Sequence, residues 1–239
     1  MALPTQKKPS TVSLVILSHT VMNGGRFCTN LMCFIDKEPL QIRPKIGGLN
    51  YFYRQAGLIT VAEQRLWQSG MRAIITPSVT WTGKGTTHPE DVTIGAPGTF
   101  KLDTSATRMS DNDLIELVDP FTSNDLYELF PQVVDDHHKP YVPGQPQAAS
   151  VGYVRMKRVN LDWHGDRMRL RLTHSEAGRQ RSGSVAIKGE ELLRKINSGV
   201  LSEGYLNQVL VRLSLSRPKY YDHLGCRACY VMCSDILGF

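Results

Sequence analysis

Apolar positions along the chain fall mainly into short runs or alternate with period two, as strands require, and only a few stretches carry the helical period. Residues 12–17 form the first strand-length run. Gly24-Gly25 then predicts a turn, residues 27–35 a second strand, and residues 40–42 a third that closes at Pro44, which together read as a β-meander. Thr60 to Glu63 has capping-box spacing, and Gly70 stands where a helix of about ten residues would end. A β-branched run follows over residues 71–79. Ser110-Asp111-Asn112-Asp113 and Ser123-Asn124-Asp125 each predict the start of a short acidic helix.

Residues 131–146 hold four prolines and the polar run Asp135-Asp136-His137-His138-Lys139, with neither period, and read as a linker. Beyond it, residues 151–159 have the β-branched and aromatic content of a strand. Arg167-Met168-Arg169-Leu170-Arg171-Leu172 then alternates basic and apolar, which places three arginines on one strand face and three apolar side chains on the other. With Asp162 to Asp166 as the turn, the two runs predict a hairpin. A strand near residues 184–187, a helix over 190–196 capped near Gly199, and strands over 209–215 and 229–237 complete the pattern. The expectation is a mainly β chain with a few short helices (α+β), built as two OB-like small β-barrels. Residues 1–140 form the N-terminal one with an acidic helical insertion, and residues 141–239 the C-terminal one carrying the basic hairpin.

The length of 239 residues suffices for a buried core, and 41% hydrophobic content rules out a disordered chain. No apolar run approaches the roughly 20 residues of a membrane span or the core of a signal peptide. Five cysteines are an odd number with no small-scaffold spacing, so reduced thiols and a cytoplasmic location are expected.

The net charge of +6 is unevenly spread: residues 101–140 carry 3 basic and 9 acidic side chains, whereas residues 151–181 carry 8 basic and 3 acidic. The second stretch holds Arg155, Lys157, Arg158, Arg167, Arg169 and Arg171, whose side chains in register suit successive phosphates through charge-assisted contacts and counterion release. DNA or RNA, single-stranded in preference to duplex, is the expected partner; the bland reading is a solvated sheet face, and the rival functions are a protein-interaction subunit that docks onto partner chains and a metal-dependent nuclease or hydrolase. Tyr153, Trp163, Phe27 and Tyr220-Tyr221 are candidates for base stacking.

His223, Cys226, Cys229 and Cys233 lie within eleven residues and include a Cys-x2-Cys pair, the spacing of a zinc knuckle. On a strand, however, Cys229 and Cys233 are about 13 Å apart at roughly 3.3 Å per residue, too far to share one ion, so buried thiols are favoured over a metal site. The Asp135 to His138 and Asp162 to Asp166 clusters fall in turn contexts, and Thr82 to Thr87 lacks the spacing of a phosphate loop. No catalytic signature is complete, and no cofactor or metal is expected.

Three stretches resemble the dual OB-fold family of bacterial, phage-defence-associated proteins. The first comprises residues 14–18, Gly24-Gly25-Arg26-Phe27-Cys28 and the Gln41-Ile42-Arg43-Pro44 box, where Leu40-Gln41 replaces the tryptophan common in the family. The second is His88-Pro89-Glu90-Asp91-Val92. The third runs from Val211 through Arg217-Pro218, followed by Cys229-Tyr230-Val231. The resemblance implies two OB-like barrels, a nucleic-acid ligand, protein partners in a larger antiviral-defence assembly, and no established catalysis. Arg26, Arg43 and Arg217 stand at strand ends beside Gly or Pro and are further binding candidates, with an ion pair to Glu90 or Asp91 as the structural alternative for Arg43.

Overall fold

The computed structural model describes residues 12–22, 26–35, 38–46, 52–53, 68–75, 79–81, 88–94, 100–136, 139–144, 147, 149–176 and 179–239. The strands of the first half are β1 (Val12–Met22), β2 (Arg26–Ile35), β3 (Glu38–Ile46), β4 (Phe52–Tyr53), β5 (Arg72–Ile75), β6 (Val79–Trp81), β7 (Asp91–Ile94) and β8 (Phe100–Leu102). Next come helix α1 (Asp111–Val118), β9 (Thr122–Ser123), helix α2 (Leu126–Leu129), β10 (Val134–Asp136) and β11 (Lys139–Pro143). The second half holds β12 (Val151–His164), β13 (Arg167–Glu176), β14 (Arg179–Ile187), helix α3 (Glu190–Asn197), β15 (Gly204–Leu215), β16 (Lys219–Tyr221) and β17 (Cys226–Leu237). Residues 60–67 of the expected helix and most of the turn at Gly24-Gly25, residues 23–25, lie outside the described residues.

β17-β14-β13-β12-β15 form one path, and a further β15–β17 pairing closes it into a five-stranded barrel. β14 runs parallel to β17 and the other neighbours are antiparallel, with α3 inserted between β14 and β15. This is the strand order of an OB-type barrel. The first sheet repeats it as β7-β3-β2-β1-β5, again with one parallel pair, β3 with β7. The mainly β, OB-like architecture expected from the period-two pattern is therefore what the chain adopts.

The barrel interior is filled from alternate positions: Val154, Met156, Val159 and Leu161 of β12, Met168, Leu170 and Leu172 of β13, and Val209, Val211, Leu213 and Leu215 of β15. Leu192 and Ile196 bring α3 onto the same core. α3 starts at Gly189, whose backbone crowds β17: a Cβ there would stand 1.9 Å from Ser234 O. Gly189→Ala is expected to destabilise the chain by about 1–3 kcal/mol, because neither backbone can yield without disturbing the barrel. A lowered urea midpoint at unchanged m-value checks this.

The opposite faces of β12, β15 and β17 are covered over part of their length. Tyr153, Leu210 and Leu237 pack with Val15, Leu17 and Met32 of the first sheet and with Leu114 and Val118 of α1. Helix α1 starts at Ser110, as expected, and the structure adds a capping box there: Asp113 N donates to Ser110 Oγ at 3.1 Å and Ser110 N donates to Asp113 Oδ2 at 3.2 Å. Within this inter-sheet layer lies Arg212, 0% exposed, donating from Nε to Ser18 Oγ at 3.0 Å and from Nη2 to Gln41 Oε1 at 3.2 Å, with the Tyr153 ring 5.0 Å away.

One organisational expectation fails. Residues 131–146 are not a plain linker: β10 pairs with β11, and β11 adds to β17 through Tyr141↔Tyr230 and Val142↔Cys229. Tyr141 and Val142 are buried, and that burial holds a strand which its flanking prolines disguise. Among the described residues no helix is long and apolar enough to cross a membrane.

Candidate nucleic-acid interface

β12 and β13 form the expected hairpin, joined by the two-residue turn Gly165-Asp166, where His164 pairs with Arg167 and Gly165 adopts a φ of 63°. The strands run further than the sequence suggested, but the alternation holds. Met168, Leu170 and Leu172 are buried, whereas Arg167, Arg171 and Thr173 face outward.

The basic side chains differ in how they are held. Arg155 pairs closely with Asp119, and Arg171 Nη2 donates to Asp162 Oδ2 at 2.7 Å, so two of the guanidiniums carry carboxylate partners. Arg158 lies over the ring of Tyr205 at 3.6 Å from its centroid, a cation–π stack in which a planar guanidinium covers an exposed aromatic. Lys157 is exposed. Arg167 lies 3.7 Å from its neighbour Asp166, with both side chains well solvated. Arg169 is different: Nε donates to Ser184 Oγ at 2.7 Å and Nη2 to Ser184 O at 2.8 Å, tying β13 to β14, and partial burial lowers its pKa against the opposing Asp162 charge.

Arg155, Lys157, Arg158, Arg171 and Tyr205 line a groove of about 750 Å³ on this face, bordered by Asn124 and Asp125 at the start of α2. The volume lies within the range of pockets that hold small organic ligands or a few monomers of a polymer. Four of the six hairpin candidates therefore converge. Arg167 and Arg169 sit on the same sheet face but outside the groove lining.

Arg43 and Arg217, outside the hairpin, do not line the groove. Arg43 lies on β3 in register with Asp91 of β7, and its Nε donates to Asp91 Oδ1 at 2.5 Å with both side chains largely buried, the ion pair considered as the alternative for this box. Neighbouring Glu90 accepts from Ser150 N at 2.7 Å and from Ser150 Oγ at 2.6 Å, which fastens the His88 to Asp91 segment to the entry of β12. Arg217 is exposed in the connection from β15 to β16. Arg26 pairs through its backbone with Met22 and Tyr53, and its side chain lies outside those described, as does that of Phe27.

Among the stacking candidates, Trp163 is 51% exposed near the hairpin tip and Tyr220 is exposed on β16, but Tyr153 is wholly buried between the sheets and presents no ring to solvent. Tyr205, 60% exposed, was not foreseen, because Glu203-Gly204 reads as a loop and the strand was expected to begin at Val209. Its signal was the short alternation Tyr205-Leu206-Asn207 just beyond.

The cysteine cluster does not converge. Cys226 is exposed at the start of β17, while Cys229 and Cys233 are buried in the barrel core. Burial pushes the Cys229 thiol up to about 11 and raises that of Cys233 as well. Among the described residues no three His, Cys, Asp or Glu side chains are grouped to hold a metal ion.

No family model matches the chain, and no match is found among curated proteins. Solved structures are similar over nearly the full length at low identity. One is a murine DNA-binding protein bound with double-stranded DNA, with a TM-score of 0.37 at 8% identity, covering 98% of this chain and 97% of that one. The p204 HINb domain has a TM-score of 0.35 at 10% identity, covering 94% and 96%, and the tetrameric p202 HIN2 has 0.34 at 8%, covering 97% and 95%.

Proposed function

We propose that this protein binds nucleic acid, single-stranded DNA or RNA in preference to duplex, along the groove formed by β12, β13 and the start of β15. The observation that carries this reading is the convergence of Arg155, Lys157, Arg158 and Arg171 around the exposed Tyr205 ring. The cations supply a sequence-independent track for phosphates, and the ring, with Trp163 near the hairpin tip, offers faces to which only unpaired bases have access. Asp119 and Asp162 stand beside Arg155 and Arg171 on this face. The same carboxylates compete with phosphate, which lowers the affinity these two arginines contribute.

Arg167 and Arg169 extend the positive face beside the groove, while Arg43 and Arg217 make at most peripheral contacts with a ligand seated there. A place within an antiviral-defence assembly that supplies protein partners rests on the sequence resemblance, and a cytoplasmic location on the cysteine pattern.

Photo-crosslinking of a bromouridine-substituted oligonucleotide to the full chain, mapped by mass spectrometry, tests the site. Adducts on Tyr205 and Trp163 are expected; adducts confined to residues off the β12–β13 face would overturn the placement. In a companion experiment, Tyr205→Ala is expected to weaken binding of a single strand by about 1–3 kcal/mol, the worth of one stacked base, while leaving the salt dependence unchanged. Fluorescence anisotropy at a series of salt concentrations reads both quantities.

A further inference from the structure

Asp235 of β17 is buried in the layer between the two sheets, where an ionised carboxylate is costly. Its Oδ1 accepts from Ile236 N at 2.9 Å, and its Oδ2 lies 2.6 Å from Ser69 Oγ. Ser69 Oγ is also 3.1 Å from the carbonyl oxygen of Leu17 in β1. Counting protons decides between the possible arrangements. A hydroxyl has one hydrogen, and Leu17 O and an ionised Asp235 are both pure acceptors, so with Asp235 charged one of these two short contacts has no hydrogen in it. With Asp235 protonated both are satisfied: the carboxyl donates to Ser69 Oγ, and Ser69 donates to Leu17 O.

The rest of Ser69 is already committed. Its N–H donates to Glu191 Oε2 of α3 at 3.0 Å, and its carbonyl accepts from Arg108 Nε at 2.8 Å, while Arg108 Nη2 donates to Glu191 Oε1 at 3.1 Å. Around Asp235 stand Arg212, its register partner on β15; Tyr153 of β12; Glu191 and Lys195 of α3; and Cys233 of its own strand. Arg212 does not neutralise it by an ion pair. Its donors go to Ser18 and Gln41, and its buried Nη1 has no hydrogen-bond partner.

We propose that Asp235 is a proton-operated latch between the two sheets, closed by the relay from the Asp235 carboxyl through Ser69 Oγ to Leu17 O and loosened when the carboxyl ionises. Burial, with the nearby Glu191 charge adding to it, pushes the Asp235 carboxyl up to about 7, against hydrogen bonds and Lys195 acting the other way. The latch thus works near neutral pH. Because the folded-state pKa is raised, the folded chain holds one proton more than the unfolded chain between the ordinary carboxylate range and about pH 7. The stabilisation is complete below that range and is lost as pH rises through 7.

Urea unfolding of the full chain at several values from about pH 5 to 8, compared with Asp235→Asn, tests the latch. The amide in the variant donates permanently to Ser69 and does not titrate. The unfolding constant of the natural chain is expected to rise relative to the variant by about tenfold per pH unit up to neutrality and to level off above it. Parallel profiles would overturn the proposal. Should the variant fold poorly, the carboxyl carbon of Asp235 followed by NMR in the natural chain gives the same answer: a titration midpoint near neutrality supports the latch, and one in the ordinary carboxylate range refutes it. Neither readout involves nucleic acid, so the latch and the groove stand or fall separately.

Discussion

Replacing Arg155, Lys157, Arg158 and Arg171 together by Ala is expected to weaken binding of single-stranded nucleic acid by roughly 10²–10³-fold at about 0.1 M salt. If each cation meets one phosphate of a single strand, the four account for about three units of the slope of log K against log salt, at roughly 0.7 per contact. Their loss should therefore flatten that slope by about three units as well as lower the affinity. All four side chains emerge from the barrel surface, so the variant should unfold at nearly the natural denaturant concentration. A loss of affinity with an unchanged slope would mean that the groove contributes shape or stacking and no phosphate contacts. A matched replacement of Arg167 alone should remove no more than about one unit of slope, because it stands outside the groove lining.

Arg43→Ala should behave in the opposite manner, with a large effect on stability and little on binding. The substitution leaves Asp91 buried without its Arg43 partner, and removing one member of a buried pair costs about 3–5 kcal/mol. The double replacement Arg43→Met with Asp91→Leu should recover most of that loss, since the carboxylate is removed along with the guanidinium and the volume is refilled. Urea midpoints of the single and double variants check this. If the single variant were as stable as the natural chain but had lost nucleic-acid binding, Arg43 would be a ligand contact and not a brace between β3 and β7.

The contrast between these two sets of arginines shows what one chain of letters can reveal. The Arg167 to Leu172 alternation announced its own geometry, because a strand with one buried face needs nothing beyond period two to be recognised. Ser110 and Asp113 likewise announced the start of α1, since a capping box is a local device. The OB-like order followed from counting such strands and one helix in each half. Arg212 and Asp235 were hidden for the converse reason. Val209, Val211, Leu213 and Leu215 mark the barrel face of β15, and the intervening Leu210, Arg212 and Ser214 read as an ordinary outer face. What buries them is the first sheet, whose β1 lies nearly two hundred residues earlier in the chain, as the Arg212 to Ser18 hydrogen bond records. Tyr205 was missed because a glycine with a φ of 142° precedes it and breaks the strand pattern where the groove needs it. The prolines of β11 misled in the same way: they mark weak strands in isolation, but Tyr141 and Val142 gain enough burial against β17 to hold one.

The groove also explains how an acidic segment coexists with a basic partner surface. Asp119 closes on Arg155, and Asp125 borders the groove while its side chain caps α2 by accepting from Glu128 N at 2.8 Å. The negative charge of residues 101–140 is in part spent on orienting the positive face.

The most direct test of nucleic-acid binding is the affinity of the unaltered chain for labelled single-stranded DNA, single-stranded RNA and duplex of one sequence, measured by anisotropy from low to moderate salt. The account predicts that both single strands bind more tightly than the duplex and that log K falls linearly with log salt at a slope of at least about three. Absence of binding at the lowest salt, or affinity indifferent to salt, would contradict it.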